Sequence, residues 1–148
     1  MTETKQGIVI KCIGGFYYIE AADGTYECRA RGIFRKQGMT PVAGDHVRIS
    51  LQSETTGTLE EVLERRNCLI RPPVANLGCL VIVVSIVDPV PSLRIVDTMI
   101  AIAEQKKIEP VLVINKADLD DTAWFEDAYA TTGLKLFTVS AATQAGVE

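Results

Sequence analysis

The segment Leu80-Val-Ile-Val-Val-Ser-Ile-Val87 restricts the fold of this chain more than any other. It is almost continuously apolar and rich in β-branched residues, which is what a strand buried on both faces requires. Residues 92–107 follow with a helical stripe of Val96, Met99, Ile100 and Ala103. Lys106 and Lys107 stand at its carboxyl end, where the helix dipole favours positive charge. Val111 to Ile114 is a second apolar strand, 122–131 a second helix closed by Gly133, and Leu136 to Val139 a third strand. Strand, helix, strand, helix, strand predicts a parallel, doubly wound α/β sheet.

The first 65 or so residues read differently. Gly7 to Cys12, Phe16 to Ala21, Thr25 to Ala30, Val47 to Leu51 and Thr58 to Val62 are short strand candidates, with Gly14-Gly15 and Asp23-Gly24 as bends. In Thr25 to Ala30 the alternation sets Glu27, Arg29 and Arg31 on one face and Tyr26, Cys28 and Ala30 on the other. Five short strands in this length predict a closed OB-type barrel. Arg71-Pro72-Pro73 reads as the linker, giving a barrel over 1–70 and a partial α/β domain over 71–148.

Ligands of such a sheet bind at the carboxyl ends of its strands. Asn115-Lys116-Ala117-Asp118 directly follows the second α/β strand, and Ser140-Ala141 follows the third. N-K-x-D is a guanine-reading pattern with a specific physics. Guanine presents N1–H and an N2 amine side by side, and the Asp118 carboxylate can accept both. Adenine offers neither donor and would leave that carboxylate desolvated. In this reading Asn115 braces the loop, Lys116 lays its aliphatic stem along the base, the Ala141 N–H donates to guanine O6, and Ser140 holds that loop. The bland alternative is a polar β–α loop with a solvated lysine.

A phosphate loop, G-x-x-x-x-G-K-[ST], is absent, since no lysine follows a glycine, and no D-x-x-G occurs. No catalytic or metal-binding residue is therefore expected in this chain. The densest basic cluster is Arg29, Arg31, Arg35 and Lys36. With Tyr17, Tyr18, Tyr26 and Phe34 as stacking candidates, of which Tyr26 points opposite to Arg29 and reads rather as core, it suggests a single-stranded nucleic-acid groove, against the plain reading of a solvated strand face. Net charge does not decide: residues 1–71 carry ten basic and nine acidic side chains, residues 72–148 five and ten. Cys12, Cys28, Cys68 and Cys79 form no C-x-x-C pair and are expected as buried thiols, and the lone His46 as a strand-edge residue. The N-terminus has no basic start and apolar core, and no apolar run reaches the roughly 18–20 residues of a membrane span. A cytoplasmic protein with no membrane contact is the expectation.

Along the chain, Arg31-Gly32, Gly44-Asp45-x-Val47, Arg71-Pro72 with Val74-Ala75-Asn76, Asn115-Lys116-Ala117-Asp118 and Val139-Ser140-Ala141 resemble the RsgA/YjeQ group, the ribosome-small-subunit-dependent GTPases of bacteria. The family has an acidic residue where Gly78 stands and an arginine where Thr98 stands. The resemblance implies an OB barrel followed by the first part of a circularly permuted GTPase domain, binding GTP or GDP. It implies a late maturation factor of the small ribosomal subunit that contacts its rRNA and hydrolyses GTP. Magnesium and a structural zinc are implied only for the full-length parent, beyond Glu148. The chain alone is expected to be inactive, and its partial sheet, with an unpaired edge strand and an uncovered apolar face, open to self-association. The rival reading is a non-hydrolysing, nucleic-acid-binding OB module with a degenerate α/β domain.

Overall fold

The computed structural model describes residues 3–32, 34 and 38–147. The chain divides into two compact units, Met1–Leu77 and Gly78–Glu148.

The first unit is a closed five-stranded barrel of β1 (Thr4–Ile13), β2 (Phe16–Ala21), β3 (Gly24–Ala30), β4 (His46–Leu51) and β5 (Thr56–Val62), in the order β1-β2-β3-β5-β4. All pairs are antiparallel except β3 with β5. Alternation sends Val9, Ile19, Tyr26, Cys28, Val47, Ile49 and Leu59 inward to form the core, which Phe34 completes. Each fully buried aliphatic side chain contributes roughly 1.5–3 kcal/mol.

The segment expected as a linker is instead structured. Cys68–Leu69 and Val74–Ala75 pair as a short hairpin, β6 and β7, with residues 70–73 as its turn. This hairpin belongs to the barrel unit. The Ala75 N–H donates to the Ala43 carbonyl at 2.9 Å, and Asn76 Nδ2 to the Gly44 carbonyl at 2.9 Å. Asn67 closes the base of the hairpin, accepting from the Leu77 N–H and donating to the Leu77 carbonyl. The contact therefore leaves no room at Gly44, whose φ is +85° and where a Cβ would sit 2.1 Å from the Ala75 oxygen. Compactness thus changes at Leu77, later than the expected division at residue 70, because these side-chain bonds bind the proline-rich stretch to the barrel.

The second unit is a parallel sheet of β8 (Cys79–Ser85), β9 (Glu109–Asn115) and β10 (Lys135–Thr138) in the order β10-β9-β8. Helix α1 (Leu93–Gln105) follows β8, and α2 (Ala123–Tyr129) follows β9. Helix α1 ends in a Schellman motif: Lys107 takes φ +57°, its N–H donates to the Glu104 carbonyl, and the Ile108 N–H to that of Ala103. One sheet face, with Ile82, Leu112 and Ile114, buries Val96, Phe125 and Tyr129. Met99, expected on the helix stripe, is instead 43 % exposed, at the margin of that face.

The other face carries Val81, Val83, Val111, Val113 and Phe137, brought level by the register, with no helix over it among the described residues. Val83 is 62 % exposed and Phe137 52 %. The apolar run of β8 is thus covered on one side only among the described residues, and the uncovered apolar face expected of a partial sheet is present. Of the cysteines, Cys28 is buried and Cys68 half-buried, but Cys12 and Cys79 are exposed, so the expectation of four buried thiols fails for two. Cys79 opens β8 with the parity of Val81 and Val83, the uncovered face. No helix among the described residues is long and apolar enough to cross a membrane.

Candidate guanine-reading site

The carboxyl ends of β9 and β10 lie side by side because the two strands pair in parallel, Thr138 opposite Ile114. The ladder continues past the strands. The Val139 N–H donates to the Ile114 carbonyl at 2.7 Å, and the Ala117 N–H to the Val139 carbonyl at 3.2 Å. Six residues expected from sequence, Asn115, Lys116, Ala117, Asp118, Ser140 and Ala141, therefore sit on two loops that are hydrogen-bonded to each other.

Asn115 spans the two loops. Its Oδ1 accepts the Ala141 N–H at 3.0 Å, joining the loops directly. This donor was expected to face guanine O6; in the structure it is given to Asn115. Lys116 takes φ +64°, a left-handed conformation that costs an ordinary residue about 1–2 kcal/mol. Its ammonium donates to the Asp88 carbonyl at 2.7 Å and the Val87 carbonyl at 3.3 Å. The lysine is thereby stretched across to the end of the β8 segment instead of trailing in solvent. Asp118 follows, exposed, with no side-chain hydrogen bond or ion pair among the described residues. Ser140 is 2 % exposed. Its N–H donates to the Ala145 carbonyl at 2.9 Å, and its Oγ accepts the Thr143 N–H at 3.2 Å. The loop so folded passes close to β10: at Gly146, whose φ is +72°, a Cβ would lie only 2.5 Å from the Thr138 oxygen.

Sequence reasoning missed Glu126, on the first turn of α2. Its Oε1 accepts hydroxyl hydrogen bonds from Thr122 at 2.7 Å and Thr138 at 2.8 Å. These bonds, Thr122 first, hold its carboxyl below the usual glutamate range. No sequence spacing announces it, because Thr138 is twelve residues away and meets it only when β10 pairs with β9.

On the barrel, Arg29 stacks its guanidinium 4.6 Å from the Phe16 ring centre, and Lys11 lies 5.4 Å from that of Tyr18. Arg31 is held by Glu60 at 2.7 Å. Tyr26 is a core residue, as its strand parity opposite Arg29 leads one to expect, whereas Phe34, suggested as a stacking ring, is core as well; each is 5 % exposed. Tyr17 and Arg31 line a cleft of about 380 Å³. Arg35 and Lys36 lie outside the described residues. Phe16, outward beside Arg29 through strand register, is the ring that sequence reasoning passed over.

Known proteins resemble this chain along nearly its whole length. The RsgA N-terminal domain model matches residues 6–59, and the RsgA GTPase model matches residues 62–148. The chain belongs to the RsgA family. The small ribosomal subunit biogenesis GTPase RsgA of Geobacillus sp. (strain WCH70) is 39% identical over 97% of this chain and 51% of that protein. The crystal structure of YjeQ from Thermotoga maritima aligns with TM-score 0.87 and 31% identity, covering 98% of this chain and 55% of that one. YloQ, described as a circularly permuted GTPase, aligns with TM-score 0.80 and 32% identity over 95% and 53%. The chain spans about half the length of the curated RsgA relatives it matches. Among the described residues no three His, Cys, Asp or Glu side chains gather to hold a metal ion. The described residues therefore do not fit the magnesium or the zinc that the RsgA resemblance implies for a full-length protein.

Proposed function

We propose that this chain supplies the barrel and the guanine-reading half of a GTP-binding, GTP-hydrolysing maturation factor of the small ribosomal subunit. The observation that carries the reading is the pair of bonded loops at the β9 and β10 tips, with Ala141 N–H on Asn115 Oδ1 and Asp118 left exposed beside them. Asp118 accepts N1–H and the N2 amine of guanine. The Ala141 N–H turns from Asn115 to guanine O6 when a base arrives. Lys116, anchored on the Val87 and Asp88 carbonyls, flanks the base plane with its aliphatic stem. Asn115, Ala117 and Ser140 keep the loops in register. The site works in the cytoplasm, on GTP and GDP.

Phosphoryl transfer needs cradled phosphates and a held magnesium ion. The chain by itself is accordingly expected to hydrolyse no GTP at a measurable rate and to bind guanine nucleotides weakly. Calorimetric titration of the full-length parent with GTP and then ATP tests the assignment. Heat with GTP alone is the expected result, and equal affinity for the two would end it.

In this proposal the barrel unit contacts rRNA. Arg29 and Arg31, with Arg35 and Lys36, supply cations, and Phe16 and Tyr18 supply rings level with Arg29 and Lys11. The reading of the chain as a non-hydrolysing OB module rests on this same face. The bare sheet face with Val83 and Phe137 supports self-association of the chain in isolation, since contiguous apolar surface favours contact. Sedimentation velocity is expected to show mass rising with concentration; a single monomer boundary throughout would refute it.

A further inference from the structure

We infer that Glu126 is a positioning residue for the guanine pocket, clamping its two loops together through one carboxylate oxygen; this rests on the guanine reading above. Asp118 has no side-chain partner among the described residues, so its place is set by the backbone on either side. Upstream, the loop is fixed by Asn115 on Ala141 and by the Ala117 N–H on the Val139 carbonyl. Downstream, it ends at Thr122, whose hydroxyl donates to Glu126 Oε1 at 2.7 Å. The same oxygen accepts the hydroxyl of Thr138 at 2.8 Å, two residues before Ser140. Glu126 thus ties the far end of the Asp118 loop to the near end of the Ser140-Ala141 loop. It is the counterpart, on the α2 side, of the Asn115–Ala141 bond. Both bonds are charge-assisted and converge on a single acceptor, so each restrains the other.

A competing role is local: Thr122 and Glu126 could serve only the first turn of α2. The Thr138 bond separates the two roles, because Thr138 lies on β10 and contributes nothing to that turn. Thr138→Val deletes the cross-loop bond and keeps shape, strand preference and the Thr122–Glu126 bond. Glu126→Leu deletes both bonds. Glu126→Gln retains a carbonyl oxygen where both hydroxyls point.

The test uses the isotope-labelled 148-residue chain, with GMP and AMP as probes and amide NMR as readout. Unchanged amide shifts in α1 and β8 certify the fold of each variant. With no nucleotide present, Thr138→Val and Glu126→Leu are expected to speed hydrogen exchange of the Ala117 and Ala141 amides about tenfold. With GMP, both variants are expected to bind about tenfold more weakly than the wild type, while Glu126→Gln restores binding to within about twofold. Combining Thr138→Val with Glu126→Leu should add little to either alone. Wild-type binding of GMP with Thr138→Val unchanged in affinity and exchange overturns the clamp and leaves the guanine reading standing. Failure of GMP to move the Asp118 and Ala141 amides of the wild type, or equal movement by AMP, overturns the guanine reading and the clamp with it.

Discussion

Replacing Arg65 by methionine is expected to lower the stability of the barrel unit by about 3 kcal/mol. Asp45 is fully buried, and Arg65 reaches it with two donors: Nε to Oδ1 at 2.7 Å and Nη2 to Oδ2 at 2.8 Å. The Val42 N–H also donates to Oδ2 at 2.8 Å, and Nη2 reaches the Thr40 carbonyl at 2.9 Å. One ion pair therefore fixes the whole turn that ends in Gly44, the glycine on which the β6–β7 hairpin docks. Methionine keeps much of the apolar stem but leaves the carboxylate buried with one backbone donor. Removing one partner of a buried pair costs more than the pair is worth, because the remaining charge stays desolvated. The partial exposure of Arg65, about a quarter of its side chain, lets some water in and keeps the loss near the lower end of the usual range. In urea, followed by circular dichroism, the barrel midpoint should fall by about 2 M. Asp45→Asn combined with Arg65→Met should be less damaging than Arg65→Met alone, since no charge is stranded. A single-variant midpoint within about 0.5 M of wild type would show that the pair does not hold the turn.

Much of this arrangement is legible in the residues, and the parts that are not share a cause. Strand β2 is found at its full span, Phe16–Ala21, because aromatic and β-branched residues are bracketed there by glycine turns. The α/β order is legible for the same local reason: apolar runs and a helical stripe alternate, and the guanine-type motifs fall at strand ends. The β6–β7 hairpin is not legible. Two-residue strands carry no periodicity, and Pro72-Pro73 argue locally for a linker, whereas Asn67 and Asn76 supply the bonds that order it from outside. Met99 and Cys79 fail expectation because apolar character says that a residue can be buried, not that this chain supplies the cover. At the site, sequence order marks Asn115, Lys116, Asp118, Ser140 and Ala141. It does not say that the Lys116 ammonium spans to the Val87 and Asp88 carbonyls, or that Glu126 joins a hydroxyl at the start of α2 to one on β10. Those are consequences of strand pairing, which brings together residues that no local pattern relates.

The second large effect is a change of base preference in Asp118→Asn. The substitution is nearly isosteric, and the side chain it replaces is exposed with no partner among the described residues, so the fold should not register it. What changes is the pattern offered to the base. Aspartate presents two acceptors, matching the N1–H and N2 amine of guanine. Asparagine presents one acceptor and one donor. Against guanine its amide N–H meets another donor, and a buried donor without an acceptor costs about 1–3 kcal/mol. Against xanthine the same group is matched: the asparagine oxygen accepts N1–H, and its amine donates to the carbonyl that replaces the N2 amine. The loss on one side and gain on the other act in the same direction on the ratio, which should swing by about a hundredfold towards xanthine. Competition between guanine and xanthine nucleotides reads that ratio directly. AMP or ATP should remain excluded by both forms, since adenine supplies neither N1–H nor an oxygen acceptor at its second position. A guanine-to-xanthine ratio left unchanged by the substitution would mean that Asp118 does not touch the base. The two bonded loops at the β9 and β10 tips would then be a feature of the fold, with no bearing on which nucleotide it selects.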